Sequence, residues 1–416
     1  MQLPSDFIRQ MEAQMPPDLW HDLQEGLAQE PAVSIRVNPS KINLEDWQIP
    51  LADGRVPWCE YGYYLSSRPA FTFDPLLHAG AYYVQDASSM FLHHVLREIL
   101  RGAGVRGYGG TRNALRVLDL CAAPGGKSTL MRSVLPEESV LISNEPMRNR
   151  YQVLRENVMK WGYPRHEVTN LYPKDFSRSK EKFDIILADV PCSGEGMFRK
   201  DEAAIGEWSL QKVEQCQQLQ RDIVSEAWKC LRPGGYLIYS TCTFNTRENE
   251  ENVRWIREEL EGEVLPIPTE AEWGITGSLL PDFNEPVYRF LPGRTRGEGL
   301  FMAVVRKRGY GGTEARGYEK CSKRAEYSDK SNLVPPCPRI PVPPINLDYQ
   351  TSIKYLRREA IVLPPEAPRG IVTVTYQGLP LGQCKNIGNR ANNLYPKEWR
   401  IKSTHIPEYE EILKRI

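Results

Sequence analysis

Between about residues 115 and 307, short apolar runs alternate with longer stretches in which apolar and polar positions recur at helical spacing. ALRVLDL, SVLISNE, FDIILADV, GGYLIYSTC and GLFMAVVRK are too short for stable helices and rich in branched aliphatic residues, so each predicts a buried strand. MRNRYQVLRENVMKWG and the stretches 207–231 and 248–260 predict helices. Strand and helix in regular alternation make a doubly wound, Rossmann-like α/β domain, a parallel sheet with helices on its faces. Upstream, about 85 residues rich in proline and aromatics hold one apparent strand, SIRVNPSK. They also hold FTFDPLLHAGAYYVQDASSMFLHHVL, which leads into a helix. Downstream, 309–345 combines a Gly-rich polar tract with VPPCPRIPVPP, a composition that resists packing and reads as a flexible linker. GIVTVTYQGLPLG then alternates like two strands about a glycine turn, so residues from about 346 predict a small β-rich module. The expected domains are therefore 1–85, 86–308, the linker 309–345, and 346–416.

Composition narrows the setting more than the chemistry. With 416 residues, 41% of them hydrophobic and 25% charged, the chain can build two or three cores. No run approaches the roughly 18–20 apolar residues needed to span a bilayer, and the first residues lack the charged-then-apolar order of a secretory signal. Nine cysteines, odd in number and never spaced C-x-x-C, argue against a disulfide framework and a zinc site, so a reducing cytoplasmic setting without a metal is expected. Net charge is zero, yet residues 301–416 carry 20 Lys and Arg against 11 Asp and Glu. A basic tail on an acidic body suits a polyanionic partner, although a solvated surface explains it equally well. No heptad or exposed apolar helix calls for a second copy, so a monomer is expected.

Candidate chemistry begins in VLDLCAAPGGKST, which places a strand, a loop of small residues and a helix start in succession. Gly125 and Gly126 allow close backbone approach, and the free N–H groups of the helix start can meet a polar ligand. Glu145 follows at the end of the next strand, about 20 residues on, where a carboxylate can accept from both ribose hydroxyls of an adenosine-containing cofactor. Its plainer role is to stabilise the dipole of the following helix. The loop has neither the dinucleotide glycine spacing nor a phosphate-loop pattern, which leaves an adenosine cofactor without phosphates, such as S-adenosylmethionine.

Two cysteines, Cys192 in DVPCSGEGMF and Cys242 in YSTCTF, follow strands at the sheet edge where open α/β folds bind ligands. A buried cysteine is most often a small hydrophobe, but both of these sit in polar, Gly- and Ser/Thr-rich turns. Methylation of cytosine carbon 5 is a reaction that needs such a thiol: addition at carbon 6 makes carbon 5 nucleophilic, and the thiolate later leaves. Asp189, three residues before Cys192, can bond the base edge or help move a proton, or can simply cap the turn. Lys127 can lend positive charge that favours a thiolate, or can be an ordinary helix-surface lysine.

VLDLCAAPGGKST, DVPCSGEGMFRKD and LIYSTCTFNTRENEENV together resemble the RNA 5-methylcytosine methyltransferases of the NOL1/NOP2/Sun family. SIRVNP and YYVQDASSM resemble that family's N-terminal RNA-binding extension. GLPLGQCKNIGNRANNLYPKEWR resembles the PUA-like RNA-binding module of its bacterial branch acting on 16S ribosomal RNA. The resemblance implies that Cys242 is the nucleophile and that Cys192 assists release of the methylated product. It also implies that Cys121, Ala122, Ala123, Pro124, Gly125, Gly126, Lys127, Glu145 and Asp189 line the S-adenosyl-L-methionine pocket. RNA, ribosomal or small-subunit, is the implied partner; the alternatives are transfer RNA as substrate, or an RNA-binding ribosome-assembly factor with little activity. One place departs from the pattern: where TNxDP is expected, TNLYP puts Tyr172 in the acidic position, with Asp175 out of register. Either Tyr172 stacks on or bonds the adenine, or that contact is missing. Pro191 and Cys192 followed by Glu251, Asn252 and Val253 superficially match DNA cytosine methyltransferases, but the cofactor loop disagrees and Glu251 falls in a helical stretch. A stacked cytosine cannot present carbon 6, so the target must be unpaired or extruded, and Arg36, Arg199 and Lys200 are candidate phosphate contacts.

Overall fold

The apolar runs fold as strands of one mixed sheet: β1 (Arg116–Asp119), β2 (Val140–Asn144), β3 (His166–Thr169), β4 (Phe183–Asp189), β5 (Leu231–Thr241), β6 (Gly262–Val264), β7 (Tyr288–Phe290) and β8 (Leu300–Lys307). The computed structural model describes residues 2–102, 114–309, 344–403, 405–406 and 408–416. The strand order is β6-β8-β5-β4-β1-β2-β3, with β7 also paired to β8. From β3 to β5 all neighbours are parallel. GLFMAVVRK, expected as a further parallel strand, instead runs antiparallel to β5. β7 turns back into β8 without a helix, a connection short enough only for an antiparallel pair, so β8 enters the sheet from a hairpin and not from a helical crossover.

Among the helices beside the sheet and its loops are α1 (Ser5–Gln14), α2 (Pro17–Ala28), α3 (Gly126–Val134), α4 (Leu210–Cys230) and α5 (Glu250–Glu259). Ile223, Val224 and Ala227 of α4 and Val253 and Ile256 of α5 bury against Leu237 and Tyr239 of β5 and Ile186 and Ala188 of β4. The apolar stripes seen in the sequence are therefore the faces turned to the sheet. α1 and α2 contribute Phe7, Met11, Trp20 and Leu23 to a second cluster with Phe198, Trp208 and Phe244. The Phe7 ring meets those of Phe198 and Trp208 edge-on at 5.1 and 5.6 Å.

Contacts divide the chain into two units that are not contiguous in sequence. The first comprises Met1–Ala32, Asp86–Leu154 and Arg165–Val334; the second comprises Val33–Gln85, Arg155–Pro164 and Pro335–Ile416. In the second, Val33–Val37 pairs with Gly62–Leu65 and Tyr82–Val84, and Gly370–Tyr376 forms the expected hairpin with Leu379–Asn386. One core serves both sheets, with Ile35, Val37 and Tyr82 in the same cluster as Ile353, Leu356, Val372 and Val374. Apart from its ends, the linker read at 309–345 lies outside the described residues. Among the described residues no helix is long and apolar enough to cross a membrane.

Candidate active site

β1 and β4 are neighbours from which the chain winds outward in opposite directions, and the crevice of such a sheet lies beyond the carboxyl ends of these strands. The loop after β1 turns at Gly125, whose φ of 113° lies in the left-handed region open to glycine. The Gly125 carbonyl then accepts from Thr129 N at 2.9 Å and Thr129 Oγ1 at 2.8 Å, which starts α3. Ala122 N donates to Asn144 O at 2.8 Å, tying the loop to the end of β2. At the base of the loop Asp119 is fully buried; Ser128 Oγ donates to its Oδ2 at 2.5 Å, while Oδ1 has no hydrogen-bond partner among the described residues. Burial, joined by the Asp189 charge, pushes this carboxyl up to about 7 against the pull of Ser128.

Glu145 follows β2 and is buried. Its Oε1 accepts from Met147 N at 2.9 Å; its Oε2 accepts no hydrogen bond and has Arg150 Nη1 at 3.4 Å. Arg150 Nη2 also donates to Ala123 O at 2.9 Å, so one guanidinium bridges the cofactor-type loop and Glu145. Asn170 Nδ2 donates to Glu145 O at 2.6 Å and Pro146 O at 2.9 Å, fastening the turn after β3 to the turn after β2. These turns leave Met147 54% and Tyr172 58% exposed. Asp175 does not take the acidic place that Tyr172 vacates: its Oδ2 accepts from Tyr172 N at 2.9 Å, capping the short helix Pro173–Arg178.

In the register of β4 with β5, Asp189 lies beside Ser240, so the two cysteine turns leave the sheet at one edge. Cys192 Sγ and Cys242 Sγ are 3.1 Å apart, and both are free, half-buried thiols. The hydrogen bond to Cys242 is the main reason that the Cys192 thiol is held well above the ordinary thiol range, with burial adding to it. Either sulfur can donate in this contact. Lys127 Nζ donates to Asp189 Oδ2 at 2.9 Å. Burial draws the Lys127 ammonium down, but the Asp189 charge and hydrogen bond, joined by Cys242 and Asp119, outweigh it and leave the group raised. Lys127 is thus a half-buried cation paired with Asp189, not a free surface lysine.

Two acids that sequence reasoning passed over fasten the cysteine turns together. Glu195, in the Pro-Cys turn, accepts from Phe244 N at 2.6 Å, Asn245 N at 3.0 Å and Asn245 Nδ2 at 2.9 Å, all in the Thr-Cys turn and its continuation, and from Trp208 Nε1 at 3.0 Å. Glu248 accepts from Ser193 N at 3.0 Å, Gln220 Nε2 at 2.6 Å and Asn245 Nδ2 at 2.9 Å. Both carboxyls are fully buried; burial raises each, Glu248 to about 7, against the pull of these donors. A glutamate between two glycines was the one available hint at 194–196.

Two candidate phosphate contacts are withdrawn. Arg36 is buried, with Nε donating to Gln85 Oε1 at 2.7 Å and its guanidinium 4.4 Å from the Trp161 ring centroid. Arg199 is ion-paired with Glu298 at 2.8 Å and also donates to the carbonyls of Gly26 and Gly297. Arginine inside a protein must be paired, and these two are. Lys200 remains partly exposed, 3.4 Å from Glu298. The Glu251–Val253 run lies in α5, where Asn252 Nδ2 donates to Gln220 Oε1 at 2.7 Å and packs the helix.

Comparison with known proteins settles the kinship. The profile of the 16S rRNA methyltransferases RsmB/F matches residues 110–306, that of the N-terminal domain of RsmF matches 3–87, and that of the RsmF PUA domain matches 342–401. The chain belongs to the RsmB/F methyltransferase family. Within it, the chain is 28% identical to the ribosomal RNA small subunit methyltransferase F of Enterobacter sp. (strain 638), over 95% of each. It is 34% identical to the protein of that description from Shigella flexneri serotype 5b (strain 8401), over 73% of this chain and 63% of the relative. The crystal structure of a methyltransferase homologue from Pyrococcus horikoshii is 24% identical and superposes with a TM-score of 0.58, covering 73% of this chain and all of that one, which shows the shared fold. As an RsmB/F-family methyltransferase, the chain depends on S-adenosylmethionine. Among the described residues no group of three or more His, Cys, Asp or Glu side chains could hold a metal ion.

Proposed function

We propose that this chain methylates carbon 5 of a cytosine in RNA through a covalent adduct on Cys242, and that small-subunit ribosomal RNA, the substrate in its relatives' names, is its target. The observation that carries the proposal is the pair of thiols 3.1 Å apart beside the Lys127–Asp189 ion pair. The residues present fit the cofactor: Glu145 Oε2 is a buried acceptor with no hydrogen bond, suited to a ribose hydroxyl, and the 121–127 loop offers small residues and a helix start. S-adenosylmethionine supplies an electrophilic methyl group. The loop residues Cys121 to Lys127, with Glu145 and Asp189, would hold it.

Lys127 keeps positive charge close to Cys242, which attacks as its thiolate. Its addition forms the bond from sulfur to carbon 6 and pushes the ring electrons towards carbon 5, where the methyl group is received. Asp189 is placed to accept from the base edge. Once Cys242 is bonded to carbon, Cys192 is released from its hydrogen bond to that sulfur and gives its proton to solvent. It then takes the carbon 5 proton; those electrons restore the ring double bond as the sulfur–carbon bond breaks. Segments 1–85 and 346–416 serve as the RNA-binding extension and the PUA-like RNA-binding domain, and the basic surplus of 301–416 favours phosphate.

Incubation with 16S ribosomal RNA and methyl-tritiated S-adenosylmethionine tests this. Cys242→Ala is expected to incorporate no label, and Cys192→Ala to accumulate a protein–RNA adduct stable to denaturation. Label entering RNA with Cys242→Ala would overturn the covalent mechanism.

A further inference from the structure

Each cysteine turn carries a glutamate that grips the other turn. Glu195 lies three residues after Cys192 and takes the backbone N–H groups of Phe244 and Asn245, just beyond Cys242. Glu248 lies six residues after Cys242 and takes the N–H of Ser193, next to Cys192. Asn245 Nδ2 donates to both carboxylates at 2.9 Å, so the two grips share a member. Gly196 N donates to Cys242 O at 2.7 Å between them. We propose that Glu195 and Glu248 are positioning residues, a reciprocal clamp that sets the separation of the two thiols and hence the rate of adduct formation and release.

The chemistry favours this over simple core filling. Every partner of either carboxylate is a donor, four to Glu195 and three to Glu248, and five of the seven contacts come from a main-chain or side-chain group of a cysteine turn. A core-filling residue in this place would be apolar, since burying a carboxylate costs free energy unless its oxygens are fully bonded. Fixing both turns from both sides removes the freedom by which two loops on neighbouring strands drift apart, and reaction rates are sensitive to displacements of about 1 Å.

The clamp rests on the proposed roles of the two thiols, so its test includes a readout that needs no RNA. Stoichiometric diamide takes up the two thiol hydrogens as a Cys192–Cys242 disulfide forms, and the rate of this coupling, followed by mass spectrometry of the linked peptides, reports the sulfur separation. In full-length Glu248→Gln and Glu195→Gln, an amide NH2 replaces an acceptor oxygen among donors. Coupling is expected to slow about tenfold or more, and kcat on 16S ribosomal RNA to fall about as much, with KM for S-adenosylmethionine unchanged. Folded variants that couple the thiols at the wild-type rate would overturn the clamp. Wild-type protein that couples its thiols but leaves RNA unlabelled would instead overturn the functional reading while leaving the clamp intact. Should the glutamine variants not fold, Trp208→Phe deletes one donor to Glu195 and is expected to slow coupling about two- to fivefold; an unchanged rate there counts against the proposal.

Discussion

At the residue scale the two thiols are chemically unlike although they touch. Cys192 is held protonated first by its hydrogen bond to Cys242 and then by burial, while Cys242 faces Lys127. A thiol whose pKa is raised has less thiolate at a given pH, and removing the main cause moves it back towards the ordinary value. Cys242→Ala should therefore make Cys192 more reactive: iodoacetamide labelling of Cys192 at about pH 8, read by peptide mass spectrometry, is expected to quicken. Labelling that stays as slow as in wild type would show that burial alone protects it. The same scale explains why two arginines drop out as phosphate contacts. Arg36 is buried and donates through Nε to Gln85, and Arg199 donates to Glu298 and two carbonyls, all groups inside their own unit. Their residue type suggested phosphate, and only their neighbours show otherwise.

At the element scale, function comes from where strands stop. The β4–β5 register sets Asp189 beside Ser240, and the following turns bring Cys192 and Cys242 together. Gly196 is the tight point of this arrangement, because a Cβ there would lie 2.5 Å from Cys242 O and 3.0 Å from Gly299 O, both main-chain atoms that cannot swing aside. Gly196→Ala should push the Thr-Cys turn away and lower kcat about a hundredfold, while calorimetry shows S-adenosylmethionine binding within about twofold of wild type. A variant with wild-type turnover would mean that the turn tolerates displacement. The strands themselves were legible in the sequence, since continuous apolar runs of this length have few other uses. The antiparallel direction of β8 was not, because a strand buried on both faces looks alike read either way.

At the scale of the whole molecule, chain order and spatial order part company. Val33–Gln85 and Pro335–Ile416 lie far apart in sequence yet form one unit with one core. A large-to-small change in that core is expected to loosen both segments together. Leu356→Ala, at a fully buried position, should cost about 2–5 kcal/mol. Hydrogen exchange should rise in Val33–Val37 as well as in Gly370–Tyr376. Faster exchange confined to the C-terminal segment would show that the two do not unfold as one. The first 32 residues likewise join the catalytic sheet's unit, through Phe7 and Trp20 packed near Phe198 and Phe244, so the chain's beginning supports the cysteine turns.

By itself the sequence determined the alternation of strand and helix, the small-residue loop, the acid after the second strand and the two cysteine turns. All of these are local patterns, written in spacing and residue type over short stretches of chain. Only the tertiary structure decided that the sulfurs meet, that Lys127 is a half-buried partner of Asp189, that Glu195 and Glu248 hold each other's turns, and that segments hundreds of residues apart share a core. Those outcomes depend on contacts between residues about 50 or more apart in the chain, whose formation is settled by packing and burial and leaves no periodic trace in the sequence.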